Sequence, residues 1–400
     1  MLIGIVGKPN TGKSTFFKAA TLAEVLIANY PFATVSANLG VAYVKVPCID
    51  VEFKTQCMPR TGFCLNHIRF VPVQLMDVAG LVPGASEGKG MGNQFLDDLR
   101  AADCFIQVVD ASGGTTIEGK PCKPGEHDPC EDVDFLVREL DLWYLGILKK
   151  IWKTFSRTIA SGREGSENFE KAVAKQFSGL KINEDDVKIT LLKTKLDGSK
   201  ADRWGDEELI NFVHTLRTLS KPMIIAANKC DFPEALENVE RMRKKYPEYI
   251  IVPCSGYSEL ALRQAAKAGM IDYIPGEKKF ELKKELNDKQ KEALESIGRN
   301  VLEKFEFGTG VQEVLDKAVF ELLKYIAIFP AGVNKLADSK GNILPDCYLL
   351  PEGSSALDFA FSLHTDIGKN FVKAIDARTG RAVGKDYKLK HRDALEIATK

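Results

Sequence analysis

The sequence predicts an α/β fold of the P-loop NTPase type, with a mostly parallel sheet between helices, a helical insertion and a small C-terminal module. Three observations carry that reading. The apolar run Leu2-Ile-Gly-Ile-Val6 reads as a buried strand, and the segment after it, Gly7 to Ser14, fits G-x-x-x-x-G-K-[ST] and leads into the helix-compatible Thr15-Phe-Phe-Lys-Ala-Ala20. Further apolar runs, Cys104 to Val109, Pro222 to Asn228 and Tyr249 to Ser255, recur with helical patterns between them, as parallel strands require. Between residues 113 and 220 that alternation stops. Leu136, Leu140, Trp143, Ile147 and Ile151 then follow helical spacing, which predicts a helix from Asp132 to about Ser156 with Trp143, Trp152 and Phe155 in its core.

In the opening loop, Gly7 and Gly12 allow the backbone of Lys8, Pro9, Asn10 and Thr11 to wrap so that N–H groups and the helix start, through Thr15, face an anion. Lys13 reaches terminal phosphates, and Ser14 offers a hydroxyl to magnesium. The 400 residues contain 55 basic and 55 acidic side chains, so any nucleic-acid contact must come from a local patch. A strand starting at residue 2 and the lack of a long apolar run predict a cytoplasmic protein without a membrane segment. Nine cysteines read as reduced thiols, and the spacing of Cys48, Cys57, Cys64 and His67 is loose for a zinc site.

Other segments complete the first series, with strands at Leu39–Val46 and Ile68–Met76 and a helix over Asn93–Ala102. Helices are predicted at Glu234–Tyr246 and Ser258–Ala268, and two amphipathic ones at Asp288–Phe305 and Val311–Ile328. Pro330-Ala-Gly332 marks a boundary before a small α+β module with a helix near Ser355 to Leu363. The domains expected are therefore 1–112 with 221–329, the insertion 113–220, and 330–400.

Three segments narrow the chemistry. Asp77-Val-Ala-Gly80 ends a strand, giving a carboxylate for magnesium and a glycine N–H for a γ-phosphate, and Thr34 offers a second hydroxyl to the metal. Asn228-Lys-Cys-Asp231 supplies a carboxylate that can accept from both the ring N–H and the exocyclic amine of guanine, donors that adenine does not present together. Lys229 would lie along the base, Asn228 would tie loops together, and the Ser255-Gly256 backbone could meet the guanine carbonyl oxygen.

These residues resemble the guanine-nucleotide-binding (G) domain of the Obg-related translation-factor GTPases. Tyr30-Pro-Phe-Ala-Thr34 and Asp77-Val-Ala-Gly-Leu-Val-Pro-Gly84 are particularly similar to the Obg and YchF branch, of archaeal type. Leu350-Pro-Glu-Gly-Ser-Ser355, Asp358-Phe-Ala360, Leu363 to Gly368 and Thr379-Gly-Arg381 resemble a TGS domain, a β-grasp module. The resemblance implies a monomeric, GTP- and GDP-binding, magnesium-dependent GTPase that switches conformation on a ribosome or RNA. The run Arg378 to Arg392, with six basic residues against one Asp, is a candidate contact surface. Leu81 stands where Ras-like enzymes place a water-orienting glutamine, which implies slow intrinsic turnover. Among potassium-activated relatives, an asparagine at the position of Asn10 helps hold K+ beside the phosphates, so Asn10 joins Lys13, Thr34 and Gly80 as a catalytic candidate. Two other readings stay open: a guanine-nucleotide-responsive binding module with negligible turnover, which Leu81 favours, and a small-molecule phosphotransferase, in which N-K-x-D has no role.

Overall fold

The computed structural model describes residues 1–21, 38–81, 84, 99–160, 168–333, 335–338 and 340–400. The expected features at Tyr30–Thr34, most of Gly80–Gly92, most of the helix Asn93–Ala102 and Ser161–Ser166 lie outside the described residues. The chain forms two compact units, one from Met1–Phe17 and Leu75–Ser258, the other from Lys18–Gln74 and Glu259–Lys400. The strands in chain order are β1 (Leu2–Val6), β2 (Leu39–Pro47), β3 (Phe63–Leu65), β4 (Ile68–Asp77), β5 (Cys104–Asp110), β6 (Met223–Asn228) and β7 (Ile251–Pro253), then β8 (Ile271–Tyr273), β9 (Phe280–Leu282), β10 (Tyr325–Pro330), β11 (Tyr348–Pro351), β12 (Phe371–Asp376), β13 (Ala382–Val383) and β14 (Ala394–Thr399).

In the first unit, β1, β5, β6 and β7 lie side by side, all parallel, with Ile5 opposite Ile106, Val108 opposite Ala226 and Ala226 opposite Val252. Every residue of β5 and β6 is buried, which explains their unbroken apolar runs: helices cover both faces of a parallel sheet, so no polar alternation is needed. Parallel strands all end on the same edge, and Gly7, Asp110 and Asn228 accordingly arrive together.

The insertion is helical, as its spacing implied. Its first helix is longer than expected, Pro129–Ala160, and is followed by helices Phe169–Gln176, Glu184–Thr194 and Asp206–Ser220. Pro129 opens the first helix at a position where its missing N–H costs nothing, with Glu131 and Asp132 in the first turn to complement the helix dipole. Asn183 caps the third through N–H groups of Asp185 and Asp186. Trp152, Phe155, Phe169, Trp204 and Phe212 form a connected aromatic cluster with ring centroids 5.3–6.4 Å apart. Gly198 lies so close to the Phe169 ring that a Cβ there would stand 2.8 Å from it.

In the second unit, β3 folds back antiparallel on β4, β8 pairs with β9, and five strands form a sheet in the order β11-β10-β14-β12-β13. The helix Ala356–Leu363, capped by Ser355 with Asp358 reciprocating, presses Ala356 and Phe359 onto Ile326, Ile328, Ala374 and Leu395. One expectation is corrected here. Val311–Ile328 is not one amphipathic helix: helical structure ends at Leu322, Lys324 takes a left-handed backbone (φ 52°), and Tyr325–Pro330 is β10. Tyr325-Ile-Ala-Ile-Phe329 has the branched and aromatic composition of a strand, and pairing with β11 and β14 decides what a short apolar run leaves ambiguous. The sheet thus begins five residues before the expected boundary at Pro330.

All three tryptophans of the chain, Trp143, Trp152 and Trp204, lie in the insertion, so their fluorescence reports on its unfolding. Phe169→Ala is expected to lower the stability seen by that probe in urea by about 3–5 kcal/mol, the cost of a large buried aromatic. A shift below about 1 kcal/mol would show that the cluster is not the insertion's core.

Candidate functional site

The opening loop turns where its glycines allow it. Gly7 has φ 145° and a Cβ there would lie 2.5 Å from the Val108 carbonyl oxygen, while at Gly12 (φ 94°) it would lie 2.4 Å from Asn228 Nδ2. Any side chain at either position therefore collides with a neighbouring strand end. The helix Lys13–Thr21 starts directly afterwards, with Phe16 N donating to Gly12 O at 2.8 Å. Lys13 is buried, and its Nζ donates to the Lys8 carbonyl at 2.7 Å across the loop. Burial pulls its pKa down to about 8, partly offset by the Asp77 carboxylate. A buried ammonium held on a single loop carbonyl fits a site that takes an anion.

Ser14 Oγ donates to Asp77 Oδ2 at 2.9 Å, so the hydroxyl and carboxylate expected at magnesium are adjacent. Gly80 approaches the loop closely: a Cβ on it would lie 3.0 Å from Pro9 N and 3.1 Å from Lys13 Nζ. Leu81 is buried, and its N–H donates to Gly7 O at 3.1 Å, which fixes the Asp77–Gly80 segment against the loop. The glycine cradle, the lysine and this hydroxyl–carboxylate pair fit a nucleotide phosphate chain with its magnesium ion. Thr15 is half-buried beside Ser14, and Thr34 lies outside the described residues.

The Asn228–Asp231 segment is organised by its first residue. Its Nδ2 donates to the Thr11 carbonyl at 2.9 Å, and its Oδ1 accepts from Gly256 N at 2.9 Å, so one amide ties the phosphate loop to the Ser255-Gly256 turn. Asp231 accepts at Oδ1 from Ser255 Oγ at 2.8 Å, and that hydroxyl also meets Ser258 Oγ at 2.9 Å. Lys229 has a left-handed backbone (φ 64°) and its Nζ reaches Asp110 Oδ2 at 2.8 Å.

Asp110 escaped the sequence reading. Fully buried at the end of β5, it accepts from Ser112 N, Ser112 Oγ, Thr115 Oγ1 and Lys229 Nζ. The signal was available in its place at the C-terminal end of an all-apolar strand, in register with Asn228. The Lys8 side chain has a structural partner that the sequence did not reveal. Its Nζ pairs with Asp132 Oδ1 at 2.8 Å and donates to Thr115 O at 2.7 Å, so it braces the loop against the insertion and does not face the phosphate position. His127 Nε2 contacts the same Asp132 oxygen at 2.7 Å.

Asn10, exposed and left-handed (φ 63°), donates its amide to the Gly119 carbonyl at 2.8 Å. Gly119 packs on Pro9 so tightly that a Cβ would come within 2.7 Å of the Pro9 oxygen. Of the basic run, Arg378 and Arg392 both pair with Glu52, and Lys388 Nζ donates to Gly353 O at 2.7 Å. Arg381, Lys385 and Lys390 are exposed.

Comparison with known proteins agrees with this geometry. A 50S ribosome-binding GTPase model matches residues 2–131, the G4 motif-containing domain of YGR210-like Obg-like GTPases matches 226–332, and a TGS domain matches 337–399. A GTP-binding protein of Methanocaldococcus jannaschii is 47% identical over 399 residues, covering 100% of this chain and 99% of its own. The ribosome-binding ATPase YchF of Bacillus subtilis is 27% identical, over 93% of this chain and 87% of its own. The crystal structure of a GTP-binding protein from Pyrococcus horikoshii superposes with a TM-score of 0.77 at 38% identity, covering 100% of both chains. With 47% identity over its full length to one of these proteins, the chain belongs to the Obg-like, YchF-related GTP-binding family with a TGS domain.

Proposed function

We propose that the chain binds GTP with magnesium, hydrolyses it slowly to GDP and phosphate, and uses the two states as a switch on the ribosome. The observation that carries the guanine reading is the Asn228 amide held at both ends, with Asp231 three residues on anchored by Ser255 Oγ at one carboxylate oxygen and left with acceptor capacity for two N–H donors. The relatives named ribosome-binding ATPases are 27–28% identical, and the presence of Asp231 favours guanine here. Magnesium would supply charge neutralisation at the phosphates. Ser14 and Asp77, with Thr34, are the residues to hold it.

The chain's own groups account for the remaining steps. Lys13 exchanges the Lys8 carbonyl for phosphate oxygens and Gly80 offers its N–H to the terminal phosphate. Leu81 is buried and apolar, so it orients no water, and slow turnover follows. Asn10 is the candidate for holding K+, in a backbone conformation that asparagine tolerates well. The family implies the domain division 1–112 with 221–329, 113–220 and 330–400, a cytoplasmic monomer, and ribosome contact through the TGS module. The ribosome-binding names of the relatives support that partner, and Arg381, Lys385 and Lys390 are exposed cations of the basic run that could meet phosphates.

Asp231→Asn is expected to weaken GTP binding by about 100-fold, since two charge-assisted hydrogen bonds are lost, and to admit xanthosine triphosphate. Unchanged GTP affinity in a fluorescent-nucleotide titration would refute guanine reading by Asp231.

Protonation of Lys13 gives a second expectation. Its pKa of about 8 in the free protein lies below the ordinary 10.5, so the neutral form gains ground as pH rises through 8, and a bound polyphosphate must restore the proton. Affinity is therefore expected to fall by up to about tenfold per pH unit above 8, with proton uptake detected by calorimetry in buffers of different ionisation enthalpy. A pH-independent affinity between 7 and 9.5 would place Lys13 away from the phosphates.

Single-turnover hydrolysis is expected to run about tenfold faster in K+ than in Na+, a difference of about 1.4 kcal/mol in barrier, and Asn10→Gly, which keeps the left-handed backbone free of strain, should erase it. Equal rates in the two salts would exclude a potassium role.

A further inference from the structure

Four potential metal ligands meet in the second unit, on the segment joining β2 to β4. Cys48 follows β2 directly, Asp50 lies in a single 3-10 turn (Ile49–Val51), Cys57 sits in the loop beyond it, and Cys64 is the middle residue of β3. Their ligand atoms all lie within 4.8 Å of one another. Cys48, Asp50 and Cys57 are 2%, 0% and 4% exposed. The Cys48 and Cys57 sulfurs are 3.5 Å apart, well beyond the ~2.05 Å of a disulfide. That spacing is close to the edge of a tetrahedron with metal–sulfur bonds of about 2.3 Å, roughly 3.8 Å.

The surroundings are those of a ligand set. Asp50 Oδ2 accepts the Cys57 N–H at 3.1 Å and lies 3.9 Å from Cys64 Sγ. Its other oxygen meets His67 Nδ1 at 3.0 Å, so His67 orients the carboxylate from outside the cluster, as partners of ligating groups commonly do. A fully buried carboxylate among thiols needs a countercharge. Arg69 is buried nearby, within the electrostatic reach of Cys48 and Cys57, and its Nε has no hydrogen-bond partner among the described residues. Three thiolates and a carboxylate around a divalent ion leave a net negative charge of about two units, and this guanidinium would offset one of them.

We propose that Cys48, Asp50, Cys57 and Cys64 hold one zinc ion in a closed, four-ligand structural site, with His67 and Arg69 in the surrounding shell. Thiolate-rich, compact and without an open position, the donor set matches zinc in a stabilising role. Binding releases the three thiol protons to solvent, and no redox change occurs. The same loop grips the C-terminal part of the unit: Met58 N donates to Ile343 O at 2.8 Å, Arg60 N to Pro345 O at 2.9 Å, and Glu52 pairs with Arg378 and Arg392. Zinc would staple the segment that makes these contacts.

The full chain, purified under reducing conditions, is expected to carry about one zinc per molecule by elemental mass spectrometry. Cobalt exchanged for it should give the thiolate charge-transfer and intense visible bands of a tetrahedral site. Cys64→Ser, at the half-exposed rim, and Asp50→Asn should lower zinc occupancy at least tenfold at limiting metal, whereas Cys122→Ser, in a loop of the first unit, should keep it. Should the variants fail to fold, the zinc content and cobalt spectrum of the unaltered chain still decide. Absence of zinc from zinc-supplemented wild-type protein, iron in its place, occupancy indifferent to Cys64→Ser and Asp50→Asn, or a Cys48–Cys57 disulfide in the peptide map would overturn the assignment.

Discussion

One side-chain amide sets the geometry of the nucleotide site. Asn228 spends its donor on Thr11 and its acceptor on Gly256, two backbone groups that no regular ladder would satisfy, and both bonds are buried. A buried amide left half-paired costs on the order of 1–3 kcal/mol, so the phosphate loop and the Ser255-Gly256 turn are held to the end of β6 by a strong penalty for separation. Gly12 completes the constraint, because its missing Cβ is what lets the amide approach. The parallel register of β5 and β6 then brings Asp110 level with Asn228, and Lys229 is drawn down onto it.

Much of this was legible in the residues. The phosphate loop follows from spacing alone, since Gly7, Gly12, Lys13 and Ser14 each serve one local need. The Asn228–Asp231 segment was legible as a motif, and the structure shows Asn228 tying loops together as its spacing suggested. Asp110 and the Lys8–Asp132 pair were not, as both depend on partners more than a hundred residues apart in sequence, which no local pattern encodes. The strand at Tyr325–Pro330 was misread for a related reason: its apolar run is compatible with either period, and only β11 and β14 select one.

The cysteine segment teaches the same lesson from the other side. Gaps between Cys48, Cys57 and Cys64 look too loose for a common ligand, yet the antiparallel return of β3 onto β4 and the turn at Ile49–Val51 fold them within 4.8 Å. Asp50, the residue that completes the set, carries no signal in a sequence with 55 acidic side chains. Local motifs encode chemistry done by contiguous backbone, whereas chemistry assembled by a loop's return must be seen in three dimensions.

The Lys229–Asp110 anchor makes this edge of the sheet unevenly tolerant of substitution. Asp110 also accepts from Ser112 and Thr115, and Asn228 is committed to two backbone partners, so neither can be replaced without unsettling a whole edge of the sheet. Asp231, by contrast, accepts one side-chain hydrogen bond among the described residues, from Ser255 Oγ. Such a frame separates one lightly tied side chain from the residues that hold the sheet edge, so a substitution at Asp231 perturbs the fold less than one at Asn228 or Asp110.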